Sequence, residues 1–390
     1  MSLRKSAKQK RRSVLLALGW NTFEFNLGVA EYAKKANWIL NDIMCHSGQI
    51  PSRWDGDGII AHVNSRSEKP LISLLRRAAV PVLNLGAFSA PFISARVLPD
   101  NMQIGALGAE HLLSRGFYHF AFYRLTSSPV VLERMEGFKR AVLAAGKSFY
   151  EVDCEAVMTH GCKRAITNTN LLPRLGAMVK RLPKPLGMMA QCDIEANDVC
   201  RACLSVGLRV PDDVAVVGVD NDPIYSRLGP VPLTSVDSNR RLAAYRAAEA
   251  LDSIMNGERW YEKTVRVPPE GVVVRESTDI LAVGDAHVSK ALRYISDNFT
   301  KEITVDDIVQ HSGISRRGLY NRFEQIVGHP IYEELMRQRL DLAKIMLRET
   351  DEKLQFIADE CGLGDAERLS KSFKRFCQIS PVQYRDEHRI

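Results

Sequence analysis

At Pro268-Pro269-Glu270-Gly271 the chain changes its hydrophobic grammar. From Val14 to about Val274 short apolar runs alternate with stretches of helical spacing; beyond that point only helical spacing is found. The strand-like runs are Val14–Leu18, Trp38–Met44, Gly58–Ala61, Val80–Leu85, Phe117–Tyr123, Leu186–Ala190, Val214–Val219 and Val272–Val274. Between them lie helical patterns at Glu24–Ala36, Leu71–Ala78, Ala106–Ser114, Glu133–Ala144, Leu171–Lys180 and Glu195–Val206. Strands separated by helices of this length call for βαβ units and parallel sheets, with helices covering the sheet faces. About 260 residues of this pattern suit two doubly wound lobes better than one. The expected fold class is therefore a two-lobed α/β body, with parallel sheets flanked by helices, plus an all-α C-terminal domain. The expected boundaries are a basic tail at 1–12, the α/β body at 13–275, a connector at 276–286 and the helical domain at 287–390.

The helical domain repeats one motif. Thr304 precedes Val305, Ile308 and Val309, with Asp307 three residues on as an acidic near-match to a capping box. Ser312-Gly313-Ile314 then breaks the helix and Ser315 opens another, through Ile326. Two helices joined by a short glycine-containing turn are helix-turn-helix grammar. Leu319, Phe323 and Ile326 share one face and are expected inside, which turns Ser315, Arg316, Arg317, Tyr320 and Asn321 outward. The pattern recurs in Gln355–Leu363, and Gly362 stands 49 residues after Gly313. In the following helix, Ala366–Phe376, Leu369, Phe373 and Phe376 are expected inside and Glu367, Arg368, Lys371, Lys374 and Arg375 outside. Arginine and asparagine pair bidentately with guanine and adenine in the major groove, glutamate accepts from cytosine, and lysine reaches phosphate. An amphipathic helix, Tyr332–Arg348, joins the two units and would hold them on adjacent grooves of one duplex.

Charge sharpens this expectation. The net charge is +7, and Arg4, Lys5, Lys8, Lys10, Arg11 and Arg12 supply six of those units. Residues 285–390 hold 17 Lys and Arg against 18 Asp and Glu, so the helical domain is no general basic sleeve. Its cations gather on the two outward faces, which suits sequence-specific contact with double-stranded DNA.

Other classes find no support in the sequence. No apolar run approaches the roughly 18–20 residues of a membrane span, and Val14–Leu18 stops too soon for the apolar core of a secretory leader. The eight cysteines form no framework, which points to free thiols in a reducing cytoplasm; Cys200 and Cys203 are read as small core residues. No phosphate-binding, dinucleotide, zinc-protease or nucleophile-elbow motif occurs, and the histidines lack metal-ligand spacing, so neither catalysis nor a cofactor is expected. In open α/β sheets ligands lie beyond the carboxyl ends of strands. The residues there include Gly19-Trp20-Asn21, Gly86-Ala87-Phe88, Arg124-Leu125-Thr126, Gln191-Cys192-Asp193 and Asp220-Asn221-Asp222. Amides and carboxylates that bond hydroxyls, beside aromatic faces, suit a sugar. Trp20 and Asn21 are candidates on this ground.

Two resemblances follow from particular residues. Ile314-Ser315, Leu319, Arg322-Phe323, Gly328 with Pro330, Arg339, Ala343, Leu347, Ile357-Ala358, Gly362, Phe373-Lys374 and Pro381 with Tyr384-Arg385 resemble the DNA-binding domain of the arabinose-regulator (AraC/XylS) family. Departures are Val309, where alanine is usual, and Leu363 and Leu369, where aromatics are usual. Arg134–Phe138, Asp193, Asn197-Asp198, Val210–Asn221 and Leu233–Val236 resemble the sensor of lactose/galactose repressors, related to periplasmic sugar-binding proteins. This second resemblance implies Arg134, Asp193, Asp220 and Asp237 as ligand contacts, and Asn221 joins them by its place just past a strand. Cys192 stands where those repressors often carry a polar residue. Together the two imply a transcription regulator that answers to a small sugar, a pentose such as xylose. They also imply a homodimer on an operator and contact with RNA polymerase, with activation of a sugar-catabolic operon as the output.

Overall fold

The structure, a computed structural model, describes residues 11–18, 23–154, 171–279 and 285–388. It separates into two compact units, the first running to Thr278 apart from Arg115–Phe117, the second holding Asp279 onward.

The first unit contains two six-stranded sheets. One lobe begins with β1 (Ser13–Ala17), α1 (Phe23–Ala36), β2 (Ile39–Asn41), α2 (Ile43–Ser47), β3 (Gly58–Ala61), α3 (Lys69–Arg77), β4 (Val82–Asn84) and β5 (Ala95–Pro99). The chain then builds a second lobe from α4 (Asn101–Ser114), β6 (His119–Arg124), α5 (Pro129–Ala144), β7 (Ser148–Asp153), α6 (Leu171–Arg181), β8 (Leu186–Ala190), α7 (Asp193–Ser205), β9 (Val214–Val219) and β10 (Thr234–Asp237). It returns to the first lobe for α8 (Arg240–Met255) and β11 (Thr264–Val267), and closes with β12 (Gly271–Val273) in the second. The strand orders are β11-β5-β4-β3-β1-β2 and β12-β10-β9-β8-β6-β7. Every pairing is parallel except β10 with β12. Among the described residues the chain thus crosses between lobes three times, near 99–101, 237–240 and 267–271.

Central strands covered on both faces should be apolar throughout. Val14, Leu15, Leu16 and Ala17 are accordingly buried, as are all six residues of β9. Cys200 and Cys203 are buried inside the second lobe's core, as expected of small hydrophobes. Trp38–Met44, expected as a strand, pairs only over Ile39–Asn41 and then turns into α2. Sequence spacing does not reveal β5, β7, β10, β11, α2 or α8. Ser277 and Thr278, expected in the connector, are fully buried in a 3₁₀ turn. The Ser277 hydroxyl donates to the Val216 carbonyl, which makes the turn part of the second lobe.

The second unit contains α9 (Ala286–Asn298), α10 (Val305–Ser312), α11 (Arg316–Val327), α12 (Ile331–Glu349), α13 (Leu354–Glu360), α14 (Ala366–Cys377) and α15 (Pro381–His388). Thr304 and Asp307 form a complete capping box, satisfying two backbone donors that the first turn of α10 cannot use. Two cores share one helix. Ile331 and Leu335 of α12 pack with Val288, Ile295, Ile308, Leu319 and Phe323. Met336, Leu340, Ala343 and Leu347 of the same helix pack with Ile357, Ala358, Leu369 and Phe373. Arg339 lies at the junction and donates to the carbonyls of Phe299 and Lys301 at 2.7 Å each. Gly362 closes the junction. Its φ is +69°, and a Cβ there would stand 2.5 Å from the Phe299 carbonyl oxygen, so only glycine fits. Ile326, expected inside, is 42% exposed, because α11 ends one residue later and its last turn overshoots the core.

Candidate functional site

The two lobes of the first unit enclose a cavity of about 300 Å³. Its walls come from strand ends and the helices that follow, as the parallel topology requires. Phe25, His62, Asn64 and Arg240 belong to the first lobe; Asn101, Arg134, Gln191, Asp193, Asp220 and Tyr225 belong to the second. Asp220 lines the cavity with a positive φ of 99°, just past β9. One carboxylate oxygen accepts from the Ser238 hydroxyl at 2.8 Å and lies 3.7 Å from the Arg134 guanidinium, while the other is paired with Arg240. Burial pushes the Asp220 carboxyl up, but Arg240 and Arg134 outweigh it and hold the acid below its ordinary range. Arg134 is further oriented by Asn101, which accepts from Nε at 3.0 Å, and by the Gln191 carbonyl.

Asp193 begins α7 and is buried. It accepts from the Ser235 hydroxyl at 2.6 Å and from the Asp222 backbone N–H at 2.7 Å, so it shapes the 220–222 loop. Burial pushes its carboxyl up to about 8. His62 tilts against the Phe25 ring, with centroids 5.3 Å apart, and burial together with the Arg240 charge lowers it to about 4. The imidazole is therefore neutral at neutral pH and offers one donor and one acceptor.

The cavity gathers three of the expected ligand residues, Arg134, Asp193 and Asp220. Asn221 and Asp237 do not line it. Asn221 donates to Asp237 at 3.0 Å and accepts from Arg275 at 2.8 Å, a network that secures the loop after β9. Trp20 and Asn21 lie outside the described residues. Of the other strand-end residues, Thr126, Gln191, Cys192 and Asp222 line the cavity, whereas Arg124 pairs with Glu151 and Asp153. Sequence reasoning missed His62, Asn64 and Arg240. The strand-end rule reaches the first two, which follow β3 directly; Arg240 has no such local sign. Among the described residues no cluster of His, Cys, Asp or Glu could hold a metal ion. No described helix is long and apolar enough to cross a membrane.

In the second unit both faces are exposed except at Tyr320, expected outside, which packs partly against the core because it follows the buried Leu319 on α11. Ser315 caps α11, accepting from the Gly318 backbone N–H, and Arg316, Arg317 and Asn321 are exposed with Tyr320 half-buried. Arg316 donates to Asp306 of α10 at 2.6 Å and its guanidinium lies 5.5 Å from the Tyr320 ring centre. Arg317 and Asn321 make no side-chain bond among the described residues. Asp365 caps α14, where Glu367, Arg368, Lys371 and Lys374 are exposed. Lys371 pairs with Glu367 at 2.6 Å, and Arg368 lies 3.3 Å from Asp365. Such exposed pairs hold long side chains loosely and exchange readily for phosphate or base edges.

Comparison with known proteins agrees with this division. Residues 109–278 match a family described as a periplasmic binding protein-like domain, and residues 308–387 match a helix-turn-helix domain. The xylose operon regulatory protein of Escherichia coli (strain K12) is 29% identical over 373 residues, 92% of each chain. The transcriptional activator AarP of Providencia stuartii is 35% identical over 98 residues, covering 25% of this chain and 73% of that one. A solved structure of a xylose-binding transcription activator is 26% identical with a TM-score of 0.71, covering 98% of this chain and 100% of the other. The helix-turn-helix pair on a shared helix, the cleft between parallel sheets and these likenesses lead to one assignment: the chain belongs to the arabinose-regulator type of helix-turn-helix transcription regulators, with a repressor-like periplasmic-binding-protein sensor.

Proposed function

We propose that this regulator reads a repeated DNA half-site with α11 and α14 and that a pentose, xylose first, occupies the cleft of its sensor. The observation that carries the proposal is the shared helix α12, which builds both cores and leaves both outward faces exposed. A pair of reading helices fixed in this way suits two successive major-groove segments about one helical turn apart. The cavity of about 300 Å³ is at the small end of ligand sites and suits a monosaccharide. The E. coli relative is named for the xylose operon and the solved relative is a xylose-binding activator, which supports xylose as the first candidate. The sugar acts by favouring one lobe arrangement over another, and it shifts that balance only through its differential affinity for the two. The output is activation of a sugar-catabolic operon from the cytoplasm, through a homodimer that contacts RNA polymerase. Catalysis is no part of this reading.

The test is selection of duplexes from a random-sequence pool by the full chain, with and without D-xylose, followed by calorimetry with the sugar alone. Enrichment of a two-part site and a shift in its affinity on adding xylose are expected. Failure to enrich any sequence overturns the DNA reading. Enrichment without a xylose response, and with no heat of binding for any pentose, turns the sensor into a dimerisation module or one for a different ligand.

A further inference from the structure

The cleft contains a cation that the general logic of a sugar site does not require. Arg240 opens α8, on the first lobe, directly after one of the three crossings between lobes. Its guanidinium lies 5.7 Å from the centre of the Phe25 ring, also on the first lobe. Its other partner is the Asp220 carboxylate, at the end of β9 on the second lobe. Both groups of the pair are well buried, with side chains 16% and 9% exposed.

A monosaccharide in such a cleft would rest its apolar C–H face on an aromatic ring and donate hydroxyl protons to a buried carboxylate. Arg240 already does both: it covers the Phe25 face and donates to Asp220. It also bridges the two lobes, as a bound sugar would. Asp193 is buried more deeply, at 1% exposure, and its two oxygens accept from the Ser235 hydroxyl and the Asp222 backbone within the second lobe. Asp222 Oδ1 accepts from the backbone N–H groups of Ile224 and Tyr225, which ties this carboxylate to its own loop.

We propose that Arg240 is a specificity-determining residue of the cleft, seated between Phe25 and Asp220 as an internal occupant that a neutral sugar must displace. The inference rests on the reading of the cleft as a monosaccharide site. The seated arginine divides the sensor between a self-closed form and a form that accepts ligand, so apparent affinity falls by the fraction that is competent. Only a ligand with enough hydroxyls to satisfy Asp220, and a face flat enough for Phe25, competes with it.

Two measurements on the full chain decide the matter, using Arg240→Ala and Arg240→Gln, with Arg241→Ala as the exposed neighbour control. Glutamine keeps neutral donors in the cleft should alanine compromise folding. With no sugar present, hydrogen exchange of peptides covering Phe23–Gly28 and Val219–Tyr225 is expected to quicken by roughly tenfold in both Arg240 variants and to stay unchanged in the control. Calorimetry is expected to show D-xylose bound roughly tenfold more tightly by the Arg240 variants. Unchanged exchange overturns the proposal, as does equal or weaker xylose binding by a folded Arg240 variant. Xylose binding to none of the proteins instead defeats the monosaccharide reading, and the exchange result then decides the seat of Arg240 alone.

Discussion

Asp220 in the cleft and Asp306 on α10 each hold an arginine, yet the two pairs behave differently because of where they lie. The Asp220 side chain is 9% exposed and has lost nearly all its water; the Asp306 side chain is 72% exposed and keeps most of it. In the cleft the desolvation of each charge is offset only while its partner remains, so the pair is a structural commitment. On α10 and α11 water replaces either partner at little cost, and Arg316 stays available to DNA. The sensor therefore uses charge to define a closed geometry, and the DNA-binding unit uses it to remain uncommitted until a duplex arrives.

The largest expected effect tests the buried side of this contrast. Asp220→Ala leaves the Arg134 and Arg240 guanidiniums facing each other without an anion, and should destabilise the sensor by roughly 3–5 kcal/mol in urea denaturation. A loss as small as that of a surface substitution would show that water enters the cleft freely. The next effect is pH dependence. Asp193 is raised from 3.8 to about 8 in the folded chain, so between those values the folded state binds the extra proton and stability falls as pH rises. His62 is lowered from 6.5 to about 4, so between those values the unfolded state binds more and stability rises with pH. The two slopes offset each other from about pH 4 to 6.5, and from there to about 8 the Asp193 slope remains. Asp193→Asn should flatten that upper window and His62→Asn should expose a falling slope in the lower one, both read as melting midpoint against pH.

On the exposed side, Arg317→Ala should weaken specific DNA binding by roughly 1–3 kcal/mol in gel shifts if the side chain reads a base, with sugar affinity unchanged. Full specific affinity in that variant would remove Arg317 from the base-reading set. The smallest effect is that of Asp306→Ala. It should leave the denaturation midpoint where it was and, by releasing Arg316, tighten DNA binding slightly. A clear loss of stability would mean that the exposed pair is more rigid than its solvation implies.

The sequence made different parts of the molecule legible for different reasons. β3, β8 and β9 carry continuous apolar runs because helices cover both their faces, and their limits match the expected ones residue for residue. The two helix-turn-helix units were readable because a glycine turn, a capping residue and a spaced apolar face coincide twice. The helix α8 was hidden by its own burial: Ala243, Ala244, Ala247, Ala248 and Ala250 pack closely against neighbours and leave little amphipathic contrast. Arg240 was hidden with it, since an arginine at a helix start reads as a solvent residue until the fold brings Asp220 to it. Asn221 and Asp237 show the converse. Their polarity and position resemble those of ligand contacts, but they bond to each other and stiffen the loop that presents Asp220.

The threefold crossing between lobes bears on how the chain is made. β11 pairs with β5 and β12 pairs with β10, so both sheets receive an edge strand from the stretch that ends at Val273. During synthesis neither lobe can complete its hydrogen-bonded edge until that stretch has left the ribosome, however early β1 emerges. An excised sensor must likewise extend through Thr278, because Ser277 and Thr278 are buried in the second lobe; a fragment cut before β11 exposes ladder groups on both halves at once and invites self-association.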